Sequence, residues 1–315
     1  MTAALLDYRT AAQPPAATRV VVVVLNWCNE ADTALCLRSV LAAARASTSA
    51  DVVPLLVDNG SPDGSGPRLA DAFPEVAYLQ TGANQGYAGG NNRGMEWARA
   101  NGADHVVVIN NDATLAPDAI DWLVQTARTT AARGEPVGLV APKILSRQEP
   151  TRLLYAGGTL SLVRGLGVHW REGEPDDAGR DLAPGVSISF ATGCCFLITR
   201  AALERVGGFE ESYFAYVEDA DLSYRLSRAG LALVYEPRAR VLHDDPGARG
   251  EPTEFHIVQR DRNRRRFARL RLSPVRRVVF ACWFYPTRAI HFARYLLRGD
   301  RARARAVRRG VFEAL

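Results

Sequence analysis

The chain has 315 residues, room for one large α/β domain or one domain with an appendage, but not for three. Its 47% apolar and 23% charged residues sit at the globular average, which excludes wholesale disorder and a fibrous repeat. The net charge of +5 is uneven: from His256 onward there are 17 arginines and three acids (net +14), while the first 255 residues hold 22 bases and 31 acids (net −9), unlike a uniformly basic nucleic-acid binder.

Residues 1–18 are rich in Ala and Pro without periodicity and read as a flexible leader, with neither the basic start nor the apolar core of a signal peptide. Residues 20–25 form a β-branched run that predicts a buried parallel strand, ending in the polar cluster 26–30. Helical spacing follows at Leu35, Leu37, Val40 and Leu41. A second strand over 52–57 breaks at the turn-rich 58–65, and 76–79 predicts a third. The Gly/Asn stretch 82–92 leads into a helix through Met95, Trp97 and Ala98 that stops near Gly102. A fourth strand, 105–109, ends at Asn110-Asn111-Asp112, and Pro117 opens another helix.

Strands alternating with helices at this spacing imply a mostly parallel sheet flanked by helices, whose ligands bind beyond the carboxyl ends of the strands. All four polar clusters fall at that edge. None is a GxGxxG or GxxxxGK[ST] loop, so a dinucleotide fingerprint and a P-loop are not supported. The second half is less regular. Residues 172–185 predict an exposed acidic excursion, 190–199 a strand kinked at Gly193, 219–229 a helix stopped by Gly230, and 231–235 and 240–243 two short strands.

Three groups of residues can carry chemistry. Asp112 follows a strand directly and can hold a divalent cation, or it can make an Asx turn before the Pro117 helix. Glu218, Asp219 and Asp221 crowd a helix start among aromatics, where burial could raise one carboxylate's proton affinity and create a general base; helix capping accounts for one such acid and poorly for three. His243 ends a short strand before Asp244-Asp245 and can complete an oxygen-rich metal site or serve the packing alone. Five cysteines (Cys28, Cys36, Cys194, Cys195, Cys282) form no CxxC pair and no disulfide framework, so a reducing, cytoplasmic compartment is expected.

The order of these clusters resembles the family 2 glycosyltransferases with the GT-A fold, most closely their rhamnosyltransferase-like branch. The matching segments are 21–30, Val57-Asp58-Asn59-Gly60-Ser61, 84–94, Ile109-Asn110-Asn111-Asp112, 193–196, Glu218-Asp219-Ala220-Asp221-Leu222 and Val241-Leu242-His243. They span about 19–270. The resemblance implies a catalytic domain over 19–255, with a nucleotide-sugar half to about 115 and an acceptor half after it, then a basic helical extension over 256–315. It also implies inverting transfer from a nucleotide-diphosphate sugar, possibly of rhamnose, to a hydroxyl of a glycan, lipid-linked or small-molecule acceptor. By the same resemblance Asp58 reads the nucleobase, Asn26 and Glu30 line the base and ribose pocket, and Asn84, Gly90 and Asn91 close over the nucleotide. Asn111 lies in the metal motif. Asp112 and His243 would bind Mg²⁺ or Mn²⁺, and Asp219 would deprotonate the acceptor. Two positions depart from the family: Cys28 stands where many relatives have Asn, and the metal motif begins with Asn110 rather than Asp. Rival readings are a sugar nucleotidyltransferase, for which no Gly-rich triphosphate loop with a nearby Lys is present, and a non-catalytic carbohydrate- or lipid-binding relative, which would lack Asp112 or Asp219.

In the extension, Arg294, Arg298, Arg301, Arg305 and Arg308 recur at helical spacing beside an apolar stripe of Ala293, Leu297, Ala304, Val307 and Val311. A basic amphipathic helix suits an anionic membrane surface or a lipid-pyrophosphate acceptor; packing on the catalytic domain or in a homodimer is the alternative. Nucleic acid is not an expected partner.

Overall fold

The computed structural model describes residues 18–244 and 250–313. The predicted leader, apart from Thr18, and Asp245 lie outside them. In chain order the first half runs β1 (Thr18–Asn26), α1 (Glu30–Ala46), β2 (Ala50–Asp58), α2 (Ser65–Ala72), β3 (Ala77–Gln80), α3 (Gly86–Ala100), β4 (His105–Asn110), β5 (Ala113–Leu115) and α4 (Ala119–Ala132). The second half has β6 (Val137–Ser146), β7 (Leu153–Tyr155), β8 (Gly158–Ser161), β9 (Leu166–His169), β10 (Val186–Ile188), β11 (Cys195–Thr199), α5 (Arg200–Val206), α6 (Glu218–Arg228) and β12 (Ala232–His243). Three helices follow: α7 (Glu254–Arg271), α8 (Pro274–Leu297) and α9 (Arg301–Phe312).

The main sheet has the order β10-β12-β6-β11-β4-β1-β2-β3. β1 pairs in parallel with β2 and β4, placing Asn26 opposite Asp58 and Leu25 opposite Asn110. The carboxyl ends of three strands therefore meet at one edge, as the polar clusters imply. Val20 through Val24 are fully buried on both faces of β1, which requires cover on both sides and explains the uninterrupted β-branched run. Gly90 is what lets α3 lie close against this sheet: a Cβ there would come within 2.5 Å of Leu25 Cδ1.

Three elements differ from the sequence reading. The expected strand 190–199 is shorter, because only Cys195–Thr199 pairs, antiparallel, with β4, and the chain before it turns away toward α6. The two strands expected over 231–243 are one, β12, with a register shift against β6 between Glu236 and Arg240. The single basic stripe expected over 294–308 is split: Gly299 adopts a left-handed φ of 73°, and Asp300 caps a new helix by accepting the Arg303 N–H at 3.0 Å. The acidic excursion over 172–185 is exposed, as expected, and is tied to the sheet where Asp176 and Asp181 each pair with buried Lys143 at 2.7 Å.

The C-terminal helices are packed, not appended. α7 lies against α6 and the turn at 211–213, and α9 covers both α7 and α8. The α7–α9 approach is close enough that a Cβ on Gly310 would sit 2.9 Å from Asp261 Cβ. Among the described residues no helix is long and apolar enough to cross a membrane.

Candidate active site

The floor of the site is a polar network that ties β1 to β2. Asn26 is fully buried; its Nδ2 donates to Asp58 Oδ1 (3.1 Å), Ser61 Oγ (3.1 Å) and Ser65 Oγ (2.9 Å), while its Oδ1 accepts from Thr33 Oγ1 (3.0 Å). Thr33 Oγ1 in turn accepts from Asn111 Nδ2 at 2.9 Å. One hydrogen-bonded line thus runs from the metal motif through Thr33 and Asn26 to Asp58. Both Asp58 oxygens are engaged, Oδ1 by Asn26 and Ser61 and Oδ2 by Gln80 Nε2, which leaves Oδ2 one lone pair for a further N–H donor.

Asn84 belongs to the loop entering α3. Its Oδ1 accepts from Gly86 N (2.8 Å) and from buried Asn59 Nδ2 (3.1 Å), fixing the loop above β2. Gly90 and Asn91 are buried one turn further on, under that loop, with Asn91 Nδ2 donating to the Tyr87 carbonyl at 3.0 Å. Neither presents an atom to the cleft, so they shape it from behind. Glu30 opens α1, half-exposed, and is held by Arg68 at 2.7 Å.

Asp112 lies just past β4 and His243 ends β12; Asp112 Oδ1 and His243 Nε2 are 3.1 Å apart. That spacing fits two adjacent donors of an octahedral ion, which at roughly 2.0–2.1 Å from the metal stand about 3 Å apart. A carboxylate oxygen and an imidazole nitrogen suit Mg²⁺ or Mn²⁺ when substrate phosphate oxygens and water complete the set. Among the described residues no group of three or more His, Cys, Asp or Glu side chains forms a protein cage. The Arg147 guanidinium pairs with Asp32 (3.4 Å) and Asp244 (3.3 Å) and donates to the Asp112 carbonyl, bracing this corner.

Asp219 sits in the first turn of α6. Its Oδ2 accepts the Gly193 N–H (3.0 Å) and its Oδ1 the Ala220 N–H (2.7 Å), while the Gly193 carbonyl accepts from Tyr87 Oη at 2.5 Å. The Gly193 peptide thus links the loop at α3 to the carboxylate, and Asn110 N donates to the Cys194 carbonyl at 2.8 Å, so Asp219 and the metal motif flank one strand junction. Burial raises the Asp219 pKa from the ordinary aspartate value, against the two N–H donors and the nearby His169, which lower it. Glu218 beside it is buried with Oε2 unpartnered, and burial together with Asp219 pushes its pKa well up. Asp221 is different: it is fully buried and bound by Arg225 (2.7 Å), Arg271 (2.6 Å) and Tyr213 Oη (3.0 Å), an anchor with no capacity left for proton transfer.

Several residues with roles here carried no signal in the sequence. The segment before α6 holds Phe214, Tyr216 and Val217 at positive φ of 62°, 68° and 78°, each costing on the order of 1–3 kcal/mol. It is clamped by Asn263 of α7, fully buried, whose Nδ2 lies 2.7–2.9 Å from the carbonyls of Tyr213, Ala215 and Tyr216. An open cleft of about 510 Å³ lies between this segment and the strand ends, lined by Trp27, Asn84, Tyr87, Asn111, Phe214 and Phe255. Trp27, 51% exposed, offers a flat face at its mouth. His169 on β9 stacks on Phe190 (centroids 5.7 Å apart), with Nδ1 3.0 Å from the Leu154 carbonyl, so Nδ1 carries a proton.

A parallel-stranded edge with an Asp–His pair on one side and a buried carboxylate on the other is the site of a GT-A glycosyltransferase. The family model described as "Glycosyltransferase like family 2" matches residues 9–268, and the chain belongs to that family. It is 35% identical over 240 residues to the N-acetylglucosaminyl-diphospho-decaprenol L-rhamnosyltransferase of Mycobacterium tuberculosis, a match covering 69% of this chain and 75% of that protein. Two solved structures share the fold. The mannosyltransferase PcManGT from Pyrobaculum calidifontis, in complex with GDP-Man and Mn²⁺, superposes with a TM-score of 0.54 at 17% identity, over 97% of this chain and 83% of that one. GalNAc-T7 with UDP, GalNAc and Mn²⁺ gives 0.61 at 14% identity, over 93% and 55%.

Proposed function

We propose that this glycosyltransferase transfers rhamnose, with inversion, from a nucleotide-diphosphate sugar to a hydroxyl of a lipid-diphosphate-linked acceptor on the cytoplasmic face of a membrane. The observation that carries the reaction is Asp219: a raised-pKa carboxylate, aimed by two backbone N–H groups, across one strand junction from Asp112 and His243. Asp219 accepts the proton of the acceptor hydroxyl as it attacks the anomeric carbon. Asp112 and His243 hold the divalent cation, which when bound neutralises charge on the leaving diphosphate. Asn26, Asp58, Asn84 and Asn111 shape the nucleotide side, with Glu30 at its rim and Gly90 and Asn91 supporting the loop. Trp27 supplies a stacking face for the base. The relative's printed name supports the lipid-linked acceptor and the sugar, and the Mn²⁺ of the two fold neighbours supports the cation.

The test is a donor screen following nucleoside-diphosphate release. Turnover should vanish in EDTA and return with Mg²⁺ or Mn²⁺; full activity of metal-free protein would remove the cation. Asp219→Asn should lower kcat by roughly 10²–10⁴-fold with donor Kd unchanged. Wild-type kcat in this variant would move the base elsewhere, Glu218 first.

A further inference from the structure

Outside the cleft, the C-terminal helices enclose an imbalance of charge. Arg264 is fully buried and Arg288 nearly so, and the only acid between them is Asp261, itself buried. Arg288 Nη1 donates to Asp261 Oδ1 at 2.9 Å; Arg264 Nη1 is 3.4 Å from the same oxygen, and its Nε donates to the Arg164 carbonyl at 2.8 Å. One carboxylate cannot neutralise two guanidiniums, and a third, the half-buried Arg260, feels the same Asp261 but makes no hydrogen bond among the described residues. Arg288 Nε and Arg264 Nη2 are buried without hydrogen-bond partners. Burial first, and the neighbouring Arg288 second, push the Arg264 pKa down to about 9. Arg264 also stacks on Trp283 (5.2 Å) and Phe284 (4.8 Å), and Arg288 on Phe284 (5.9 Å), which offsets part of the burial cost; the N–H groups left without acceptors still favour an anion that meets them.

There is room for one. Arg260, Arg288, His256, His291 and Tyr295 line a cavity of about 60 Å³ together with Asp261, whose charge the arginines outnumber. Space for a water begins at roughly 10–15 Å³, so this cavity takes a group of several heavy atoms. Guanidinium forks match phosphoryl oxygens, which accept from several donors at once. The cavity adjoins a second feature. Arg288 and Val307, which line it, also line a groove of about 390 Å³ between α8 and α9, whose other walls are Tyr285, Ala289, Phe292, Val311 and Phe312, with Arg308 at its side. A cationic pocket at the end of an apolar groove has the complementary shape and charge of one kind of molecule. We propose that the α7–α8–α9 bundle binds a phosphoryl amphiphile, its phosphoryl group between Arg260 and Arg288 and its hydrocarbon chain in the groove beside α9. This site is separate from the catalytic cleft and does not depend on the sugar or acceptor assigned there.

The test is thermal unfolding of the full chain at constant ionic strength, with chloride, inorganic phosphate or monomeric dihexanoyl phosphatidic acid. Phosphate should raise Tm by about 2–4 °C near saturation, and the short-chain lipid by more at equal concentration. Arg260→Gln removes a charge that makes no hydrogen bond, so it should leave the unliganded protein folded, with an equal or higher Tm, while abolishing both responses. Ala289→Trp fills the groove and should abolish only the lipid's excess. Donor hydrolysis should be unchanged in Arg260→Gln, which separates failure of this site from failure of the catalytic assignment. The proposal is overturned if neither ligand shifts the wild-type Tm, or if Arg260→Gln keeps the shift. An equal response to phosphate and lipid would also overturn it, leaving only a free-anion site.

Discussion

Glu218 and Asp219 are neighbours in sequence and opposites in environment. Asp219 receives two backbone donors, whereas Glu218 is buried with an oxygen that meets none, so Glu218 is the group that holds a proton most tightly. The consequence for stability has a definite sign. The unfolded chain releases the Glu218 proton near the ordinary glutamate value of about 4.3, but the folded chain retains it to higher pH. Between those two values the native state binds more protons, so stability falls as pH rises. Glu218→Gln abolishes that fall. Its Tm, measured from pH 4 to 8, should match or trail the wild type in acid and exceed it by on the order of 2–4 °C at neutral pH. Parallel curves for the two proteins would mean that Glu218 is ionised in the native state.

At the scale of elements, α7 reaches the wall of the cleft through Asn263. Three non-glycine residues at positive φ persist only when their surroundings over-determine them, and here one amide nitrogen lies 2.7–2.9 Å from the carbonyls of Tyr213, Ala215 and Tyr216. Asn263→Leu should destabilise the fold by about 1–3 kcal/mol in urea unfolding, the cost of leaving buried carbonyls unsatisfied. It should also raise the acceptor KM several-fold while sparing donor hydrolysis; an unchanged acceptor KM would reduce Asn263 to a packing role. The sequence could not disclose this clamp. β1, β2 and β4 were legible because strands buried on both faces read as unbroken apolar runs, and the Asp112, Asp219 and His243 positions were legible because each closes or opens an element. Asn263 sits among arginines in a helix with no clear apolar stripe, 50 residues from the carbonyl it binds, and local pattern is silent about such contacts. β12 was read as two strands because Pro237 interrupts its alternation, an interruption the register shift absorbs. Gly193 was noticed as a kink, but that its N–H holds the Asp219 carboxylate follows only from the tertiary structure.

For the whole molecule, the basic extension presents two unlike faces. One is packed, with Phe280, Phe284 and Arg288 buried against the body. The other is apolar and open: between Arg277 and Arg294 the only charged residue of α8 is buried Arg288, and Val275 (74%), Leu297 (88%) and Phe312 (77%) are largely exposed. Arginines border this face at both ends of α8. A second copy docking there would confront that basic border with its own, whereas an anionic bilayer would complement it, each well-placed cation contributing roughly 1 kcal/mol. The full chain should co-sediment with anionic vesicles at low salt, weakly at high salt, and not with neutral ones. Val279→Glu with Ile290→Glu alters the open face without touching the packed one and should release the protein. Removing everything after Leu297, by contrast, would strip α9 from α7 and α8. Indifference to anionic vesicles at low salt would assign the face to another partner.

The antiparallel insertion of β11 between β4 and β6 has a further consequence, for biogenesis. During synthesis β4 emerges with an unpaired edge, and the strand that covers it lies roughly 85 residues later, about 4–17 s at ordinary ribosomal rates. Through that interval the nascent first half carries an open edge of Val106, Val107, Val108 and Ile109, a template for aberrant pairing. The same insertion brings Gly193 and then Asp219 beside the end of β4. A fragment ending before β11 therefore leaves the β4 edge uncovered, and Asp219 meets Gly193 only after the second half has been translated and docked.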